Sequence, residues 1–224
     1  YIAEPTFGTI PDKNAFELMA DKIRRSQDKV TLVPTGPLTN IAVFLLAYPE
    51  LHDRIHRIVL MGGSGQGGNW TAAAEFNIWV DPEAAQVVFN SGIPITMCGL
   101  DVTHKALIYP EEVHPLTQSE HRVKRLVGEL LEYFGQYHKK IGLPGIPLHD
   151  PCTVMWLLYP EIFKTEKYHV DIEVSGEFTT GATVIDFSRR RNQLFNVDVV
   201  LDVNRELFIQ KFIQQLEQYP ANQS

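Results

Sequence analysis

The sequence predicts an α/β fold in which a mostly parallel, open sheet is flanked by helices. Three short apolar segments, 30–34, 56–63 and 93–100, have the composition of buried strands. Helical patterns separate them at 35–50 and 81–90. Strands that alternate with helices form βαβ units whose parallel sheet is covered on both faces. Ligands of such sheets bind at the carboxyl ends of the strands, so we expect a site at that rim.

Capping residues and periodicity predict the individual elements. The helix of 81–90 has Asp81 as its N-cap and Pro82 at its first helical position. The other predicted helices are 13–26, 117–140, 149–160 and 204–217, with a loop at 142–147 and later strands at 168–176, 182–187 and 196–203. We expect one domain over residues 1–224.

Composition argues against several classes of protein. The 224 residues carry a net charge of -7, and the basic residues are scattered apart from 189–191, so a nucleic-acid partner is not expected. No window approaches roughly eighteen apolar residues, so no membrane span is expected. Cys98 and Cys152 lie in apolar segments and form no metal or redox motif. We interpret them as reduced core thiols of a cytoplasmic protein.

A glycine run, Gly63–Gly68, follows the second strand and matches the pattern G-x-G-x-x-G. A dinucleotide site needs the last glycine to open a helix whose N–H groups face the pyrophosphate. No convincing long helix follows before Pro82. We therefore interpret the run as a loop at a strand end.

Glu75 and Asn77 are polar residues in an otherwise apolar segment. If the segment is extended, the two side chains share a face and Phe76 lies opposite. A carboxylate removed from water must be paired, hydrogen-bonded or protonated. One interpretation is an internal bridge to a backbone amide or an arginine. The other is a polar cleft in which Asn69 and Glu75, on either side of a glycine-rich turn, bind the vicinal hydroxyls of a sugar.

His149 and Asp150 form a second polar pair, next to Pro151. The Asp-Pro pair predicts an N-cap, but the carboxylate could instead bind a hard cation. His149 adds a group that titrates near neutral pH. Tyr133 and Tyr137 share one face of the predicted helix, either as packing aromatics or as a lid that stacks on a base.

Taken in order, these segments resemble the nucleoside hydrolases, the inosine-uridine-preferring nucleoside N-ribohydrolases. The resemblance is carried by LVPTGPLTNIA, IVLMGG, GNWTAAAEFNIWVDPEAA, GLDVTHKA and LHDPC, and it covers Thr6 to the final helix. GIP, GLDVTHKA and PLHDPC look most similar to bacterial pyrimidine-specific members. The resemblance implies a Rossmann-like nucleoside hydrolase fold.

The resemblance also implies ligands for a metal ion and for a sugar. Ca²⁺ would be bound by the carboxylate of Asp150 and by the backbone carbonyl of Thr35. The ribose hydroxyls would be held by Asn69, Glu75 and Asn77. A bound ribose would then explain why polar residues are tolerated in an apolar segment.

Further positions of the family pattern imply contacts to the sugar and the base. Met61 would lie beneath the sugar, and Phe76 would line an apolar pocket. His149 would lie near the leaving base, as the general acid proposed for purine-cleaving members. Tyr133 and Tyr137 fall on the aromatic positions of a helix over the base.

One part of the family pattern does not occur in the sequence. Members carry an aspartate cluster, D-x-D-P-G-x-D-D, which supplies the other calcium carboxylates and the aspartate that activates water. A further histidine that contacts the base is also absent. We expect the sequence to be either a fragment of a longer protein or the product of a truncated gene, without the N-terminal strands of the fold. As written, it is expected to lack the general base and half of the metal site.

The implied function is hydrolysis of the N-glycosidic bond of ribonucleosides to ribose and free base, in nucleoside salvage. Pyrimidine nucleosides and inosine are the implied substrates, and a homodimer or homotetramer is the implied assembly. Two alternatives stay open. One is a nucleoside- or ribose-binding module without catalysis, which the missing aspartates favour. The other is a metal phosphohydrolase built on His149 and Asp150, for which His104, His114 and His138 do not offer the needed spacing.

Overall fold

The computed structural model describes residues 13–140, 142–190 and 193–220. In this part of the chain the helices are α1 (Ala15–Arg25), α2 (Thr39–Ala47), α3 (Phe76–Val80), α4 (Pro82–Phe89), α5 (Leu100–Thr103), α6 (Pro110–Thr117), α7 (Arg122–Lys140), α8 (Pro151–Leu158) and α9 (Arg205–Glu217). The strands are β1 (Val30–Leu32), β2 (Ile55–Met61), β3 (Ile95–Cys98), β4 (Leu107–Ile108), β5 (Ile146–Pro147), β6 (Phe163–Tyr168), β7 (Val170–Ile172), β8 (Thr183–Ile185) and β9 (Val197–Val203). Even α7, the longest helix in these ranges, is not apolar enough to cross a membrane.

The main sheet has five strands in the order β1-β2-β3-β9-β6. The first four are parallel, and β6 runs antiparallel to β9 at one edge. Ile95 pairs with Ile58 of β2 on one side and with Val197 of β9 on the other. Two short antiparallel pairs, β4-β5 and β7-β8, lie outside this sheet. The predicted α/β fold with a mostly parallel sheet is confirmed.

Both faces of the sheet are covered, which explains why its strands are apolar throughout. Successive side chains of a strand point to opposite faces. Ile58 and Leu60 of β2 pack with α1, α2 and α4, whereas Val59 packs with α6, α8 and α9. All three side chains are fully buried. The sheet is therefore the middle layer of three, and its strand ends are the places where the chain opens to a ligand.

Several elements differ from the sequence-based prediction, which did not contain the short elements α3, α5, β4 and β5. The long helix begins at Arg122 rather than near 117, because a separate helix, α6, precedes it. Pro110 occupies the first turn of α6, and the Glu112 side chain accepts a hydrogen bond from the Tyr109 N–H to cap it. The pattern also failed to predict β6, whose alternation is weak because it is an edge strand and only Tyr168 among its residues is buried.

Candidate functional site

The carboxyl ends of β1, β2 and β3 are joined at one rim by backbone hydrogen bonds. The Met61 N–H donates to the Pro34 carbonyl (3.0 Å), which ties the end of β2 to the segment after β1. The Gly62 N–H donates to the Cys98 carbonyl (3.3 Å), and the Leu100 N–H donates to the Gly63 carbonyl (2.9 Å). The loops that follow the three strands therefore start from a fixed platform.

A cavity of about 530 Å³ opens at this rim. It contains every predicted site residue except Tyr133. These residues are Thr35, Met61, Asn69, Glu75, Phe76, Asn77, Tyr137, His149 and Asp150. The wall is completed by Gly68, Trp70, His104, Phe134, His138 and Leu143. Glu75 and Asp150, which are far apart in the sequence, thus share one cavity.

Glu75 is the N-cap of the short helix α3. Its carboxylate accepts hydrogen bonds from the N–H groups of Asn77 (3.0 Å), Ile78 (3.3 Å) and Gly63 (2.9 Å). The side chain is only 3% exposed. Burial raises the pKa of the Glu75 carboxyl, and the nearby Asp150 charge adds to that rise, while the three N–H donors oppose it.

The prediction of an extended segment at Glu75–Asn77 is wrong, because the carboxylate caps a helix that begins at Phe76. Glu75 and Asn77 are nevertheless both buried at the cavity wall. The two interpretations of Glu75 describe the same residue: backbone amides satisfy its carboxylate, and that carboxylate also lines the cavity.

Two asparagine side chains are held by the backbone and keep one polar atom each for a ligand. Asn77 Nδ2 donates to the Met61 carbonyl (3.1 Å), and Asn69 Oδ1 accepts from the Phe76 N–H (2.9 Å). Asn77 Oδ1 and Asn69 Nδ2 have no hydrogen-bond partner among the described residues. An amide acceptor and an amide donor at one cavity wall match the hydroxyl groups of a sugar, since a hydroxyl both donates and accepts.

The glycine run forms a loop, as predicted, because the next helix does not begin until Phe76. The N–H groups of Trp70 and Thr71 both donate to the Ala74 carbonyl, so the loop folds back on itself. A Cβ on Gly68 would lie 2.0 Å from that carbonyl oxygen. Glycine is required at this position by close approach of the backbone, and not by contact with a phosphate.

Asp150 does not cap α8, so the N-cap prediction is wrong. Its backbone is helical (φ -64°, ψ -39°), and its side chain makes no capping hydrogen bond. An N-cap residue normally has an extended backbone, so the helical backbone of Asp150 does not direct its side chain toward the N–H groups it would cap. Burial raises the pKa of its carboxyl. The Asp150 side chain thus lines the cavity without making a capping hydrogen bond.

Asp150 and Thr35 offer oxygen donors, which suit a hard cation such as Ca²⁺. Calcium takes roughly six to eight oxygen ligands, and these two residues supply too few. Within the described ranges no group of three or more His, Cys, Asp and Glu side chains could hold a metal. The donor type therefore fits calcium, whereas the number of donors in the described cavity wall does not complete a site.

Three histidines meet at the cavity. His149 Nδ1 is hydrogen-bonded to Thr103 Oγ1 (2.8 Å), and its ring centroid lies 5.8 Å from that of His104 and 6.4 Å from that of His138. Burial, with smaller contributions from the neighbouring His104 and His138, lowers the pKa of His149 to about 4. His149 is therefore neutral near pH 7. His138 Nδ1 is fixed by a 3.1 Å hydrogen bond to the Phe134 carbonyl.

Helix α7 turns a different set of aromatics toward the cavity than the sequence suggested. Tyr137 lines the wall and is 60% exposed, whereas Tyr133 is 76% exposed and does not line it. Phe134 and His138 line it instead. Phe134 and His138 are four residues apart and define the face of α7 that lines the cavity, and Tyr137 lies at its edge. Tyr133, one turn before Tyr137, lies beyond that edge. The sequence signal for this face was Phe134, an apolar residue one helical turn before His138.

Comparison with known proteins identifies the family. A model of the family described as inosine-uridine preferring nucleoside hydrolase matches residues 3–210. The chain is 53% identical to the pyrimidine-specific ribonucleoside hydrolase RihA of Shewanella woodyi, over 92% of the chain and 66% of that protein. It is 50% identical to RihA of Klebsiella pneumoniae, over 97% of the chain and 70% of that protein.

A solved structure has the same fold. The purine-preferring ribonucleoside hydrolase of Gardnerella vaginalis superposes with a TM-score of 0.82 at 33% identity, covering 92% of this chain and 66% of that one. The chain thus spans about two thirds of the length of these relatives. With the matched family model and the half-identical relatives, the chain belongs to the inosine-uridine preferring nucleoside hydrolase family.

Proposed function

We propose that the protein carrying this chain hydrolyses the N-glycosidic bond of ribonucleosides to ribose and free base, in nucleoside salvage. The observation that carries the proposal is the shared cavity, where Asn69, Glu75, Asn77 and Asp150 surround one space. Family membership supports it, as do the names of the relatives, which are pyrimidine-specific in two cases and purine-preferring in a third. Pyrimidine nucleosides are the first proposed substrates, because the curated relatives with that name are about half identical.

The reaction adds water across the bond between C1′ of ribose and the base nitrogen. The C1′–N bond breaks and its electron pair leaves with the base, while the water oxygen forms a bond to C1′. Water loses one proton and the base gains one. C1′ becomes cationic in the transition state, as in other glycoside cleavage. The Glu75 carboxylate of the cavity wall would stabilise that charge more than it stabilises the neutral substrate.

Residues of this chain would position both halves of the substrate. Asn69 Nδ2 and Asn77 Oδ1 would hold ribose hydroxyls, and the Met61 side chain would contact the sugar. Phe76 and Tyr137 would contact the base. The neutral His149 ring would donate a hydrogen bond to the base as it departs, because a neutral imidazole has one N–H.

The charge of the cavity supports a nucleoside rather than a nucleotide. Its wall contains the carboxylates Glu75 and Asp150, and no lysine or arginine lines it within the described residues. Proteins that bind phosphate groups surround them with Arg, Lys or backbone N–H groups. A 5′-phosphate would find no lysine or arginine in the described wall to bind it, and the proposed calcium would already be coordinated by Asp150.

Nucleoside hydrolases are generally metal-dependent, and we propose that calcium is the metal. Asp150 would contribute a carboxylate and Thr35 its carbonyl, with the remaining oxygen ligands coming from outside the described cavity wall. Bound calcium would orient a water molecule and lower its pKa. In the whole protein, Asp150→Asn is expected to weaken calcium binding at least about tenfold, measured by titration calorimetry, because a neutral amide is a poorer ligand for a hard cation. Unchanged calcium affinity would contradict the assignment.

We also propose a cytoplasmic location and a homodimer or homotetramer. Cys98 and Cys152 are free, buried and part of the same core cluster, which supports a reducing compartment. Exposed apolar side chains on α8, at Val154, Leu157 and Leu158, support a subunit contact. Light scattering on the purified whole protein gives the assembly directly, and a monomer would refute it.

The test of the reaction is release of reducing sugar from uridine, cytidine and inosine by the whole protein with added calcium. We expect turnover of at least one pyrimidine nucleoside and none of uridine 5′-phosphate. Binding of ribose without turnover of any nucleoside would support the alternative of a binding module and end the proposal.

A further inference from the structure

The contact between His149 and Thr103 bears on which ring nitrogen carries hydrogen. Nδ1 lies 2.8 Å from Thr103 Oγ1, and Nε2 has no hydrogen-bond partner among the described residues. A neutral imidazole carries its hydrogen on one nitrogen and accepts with the other. Only the tautomer with its hydrogen on Nε2 can donate a hydrogen bond to a molecule in the cavity.

Among the described residues, His149 is the only hydrogen-bond acceptor for the Thr103 hydroxyl. The side chain is fully buried, and within the described residues its hydroxyl is hydrogen-bonded to His149 and to no other group. If the oxygen accepted from an Nδ1–H, the hydroxyl hydrogen would be a buried donor without an acceptor, which is unfavourable. If the hydroxyl donates to Nδ1, both groups are satisfied.

The position of the hydroxyl is fixed by the sheet. Thr103 is the last residue of α5, and its N–H donates to the carbonyl of Gly99 (3.1 Å), directly after β3. Val102 and Ala106, on either side of it, are fully buried in the core. The Thr103 hydroxyl therefore keeps one place relative to the cavity.

We propose that Thr103 is a positioning residue, whose hydroxyl donates to His149 Nδ1 and thereby places the ring hydrogen on Nε2. This inference deepens the proposed function and rests on it for its catalytic consequence. When the C1′–N bond breaks and the base takes the electron pair, an Nε2–H stabilises the added charge with a hydrogen bond. The other form of the ring would present a lone pair there, which repels the departing base.

Two substitutions of Thr103 separate the hydroxyl from the packing. Thr103→Val replaces the hydroxyl with a methyl group of similar size, and Thr103→Ser keeps the hydroxyl. Thr96→Val is the matched control, because Thr96 in β3 is also fully buried. Its hydroxyl accepts one hydrogen bond, from Arg57, and does not contact His149. All three are compared in the whole protein.

The first measurement is the form of the His149 ring, by ¹⁵N NMR of histidine-labelled protein near pH 7, with His149→Gln identifying the signal. We expect hydrogen on Nε2 in the wild type, in Thr103→Ser and in Thr96→Val, and loss of that preference in Thr103→Val. Hydrogen on Nδ1 in the wild type, or an unchanged ring in Thr103→Val, overturns the proposal. The wild-type result decides even if a Thr103 variant fails to fold, and it does not depend on any activity.

The second measurement is turnover. With uridine, Thr103→Val is expected to lower kcat roughly tenfold or more with little change in KM, and Thr103→Ser to stay within about threefold of wild type. With a ribosyl nitrophenyl ether, whose leaving group is stable as an anion, Thr103→Val should turn over nearly as fast as wild type. Equal losses on both substrates would indicate a merely structural role. If the wild type cleaves neither substrate, the proposed function fails while the NMR result still decides the ring form.

Discussion

At the scale of single residues, the site depends on side chains that serve the fold and the ligand together. Glu75 caps α3 with three backbone hydrogen bonds and also lines the cavity. Asn69 and Asn77 each use one amide atom on the backbone and leave one free. Such residues arrive at the ligand already fixed, which reduces the entropy lost on binding.

Glu75→Gln is therefore expected to weaken both folding and sugar binding. Oε2 of Glu75 accepts from all three N–H groups, and a neutral amide oxygen in its place accepts more weakly than a carboxylate. The amide NH2 of glutamine would also take the place of Oε1, which lies 3.0 Å from the Asn77 nitrogen. We expect a loss of about 1–3 kcal/mol in the free energy of unfolding, measured by urea denaturation.

Asp81→Asn is the matched control for this substitution. Asp81 caps α4 through the Ala84 N–H, and asparagine is an equally good N-cap. Its other oxygen accepts from the Thr39 hydroxyl, which can rotate to accept from an asparagine NH2 instead. An equal loss of stability in both variants would show that the effect belongs to any removed carboxylate and not to Glu75.

At the scale of elements, the loop of residues 62–75 carries Asn69 and Glu75, two of the four residues proposed to contact the sugar. It is held by the Ala74 carbonyl, which accepts from Trp70 and Thr71, and by Asp101 Oδ2, which accepts from the Gly65 N–H (2.8 Å). Gly68 lies where the two arms of the loop meet. The shape of this loop therefore sets the position of one wall of the cavity, which also contains residues of α7.

Gly68→Ala is expected to disturb this loop, because its Cβ would overlap the Ala74 backbone. We expect nucleoside affinity to fall at least about tenfold and the melting temperature to drop, by titration calorimetry and thermal denaturation. Gly36→Ala is the control for a rim glycine, since a Cβ there meets no atom within 4 Å. If Gly68→Ala binds like the wild type, the backbone contact does not shape the site.

The elements that were predicted well from the sequence carry two signals, an apolar run and a capping residue. The helix α4 is an example: Asp81 caps it and Pro82 opens it, as expected. β6 has neither signal, because an edge strand is half exposed. In the site, the family pattern placed Glu75 and Asn77 correctly at the wall although the local conformation was wrong. His138 escaped prediction because its place depends on how α7 packs over the sheet rim, which no local pattern contains.

At the scale of the whole molecule, the buried histidine links stability to pH. The His149 pKa is lowered to about 4 in the folded protein by burial, against about 6.5 in an unfolded chain. Between these values the unfolded state binds the proton and the folded state does not. The contribution of His149 to the free energy of unfolding is therefore highest above pH 6.5 and is lost as the pH falls toward 4.

His149→Gln should remove this part of the pH dependence. We expect wild type to lose up to about 3 kcal/mol more than the variant between pH 7 and pH 4, by urea denaturation at each pH. Taking the difference between the two proteins removes the contribution of carboxylates, which titrate in both. Parallel stability curves would show that the His149 ring is protonated as easily in the folded state as in the unfolded one.

The wall of the cavity also bears on the order of reactions in a cell. Nucleic-acid breakdown yields phosphate esters, and the described wall holds no lysine or arginine that would bind their phosphate. Under the proposed function, a phosphomonoesterase must act first, and the base becomes available for reuse only after that step. The lack of a basic side chain would thereby protect intact nucleotides from hydrolysis by the same protein.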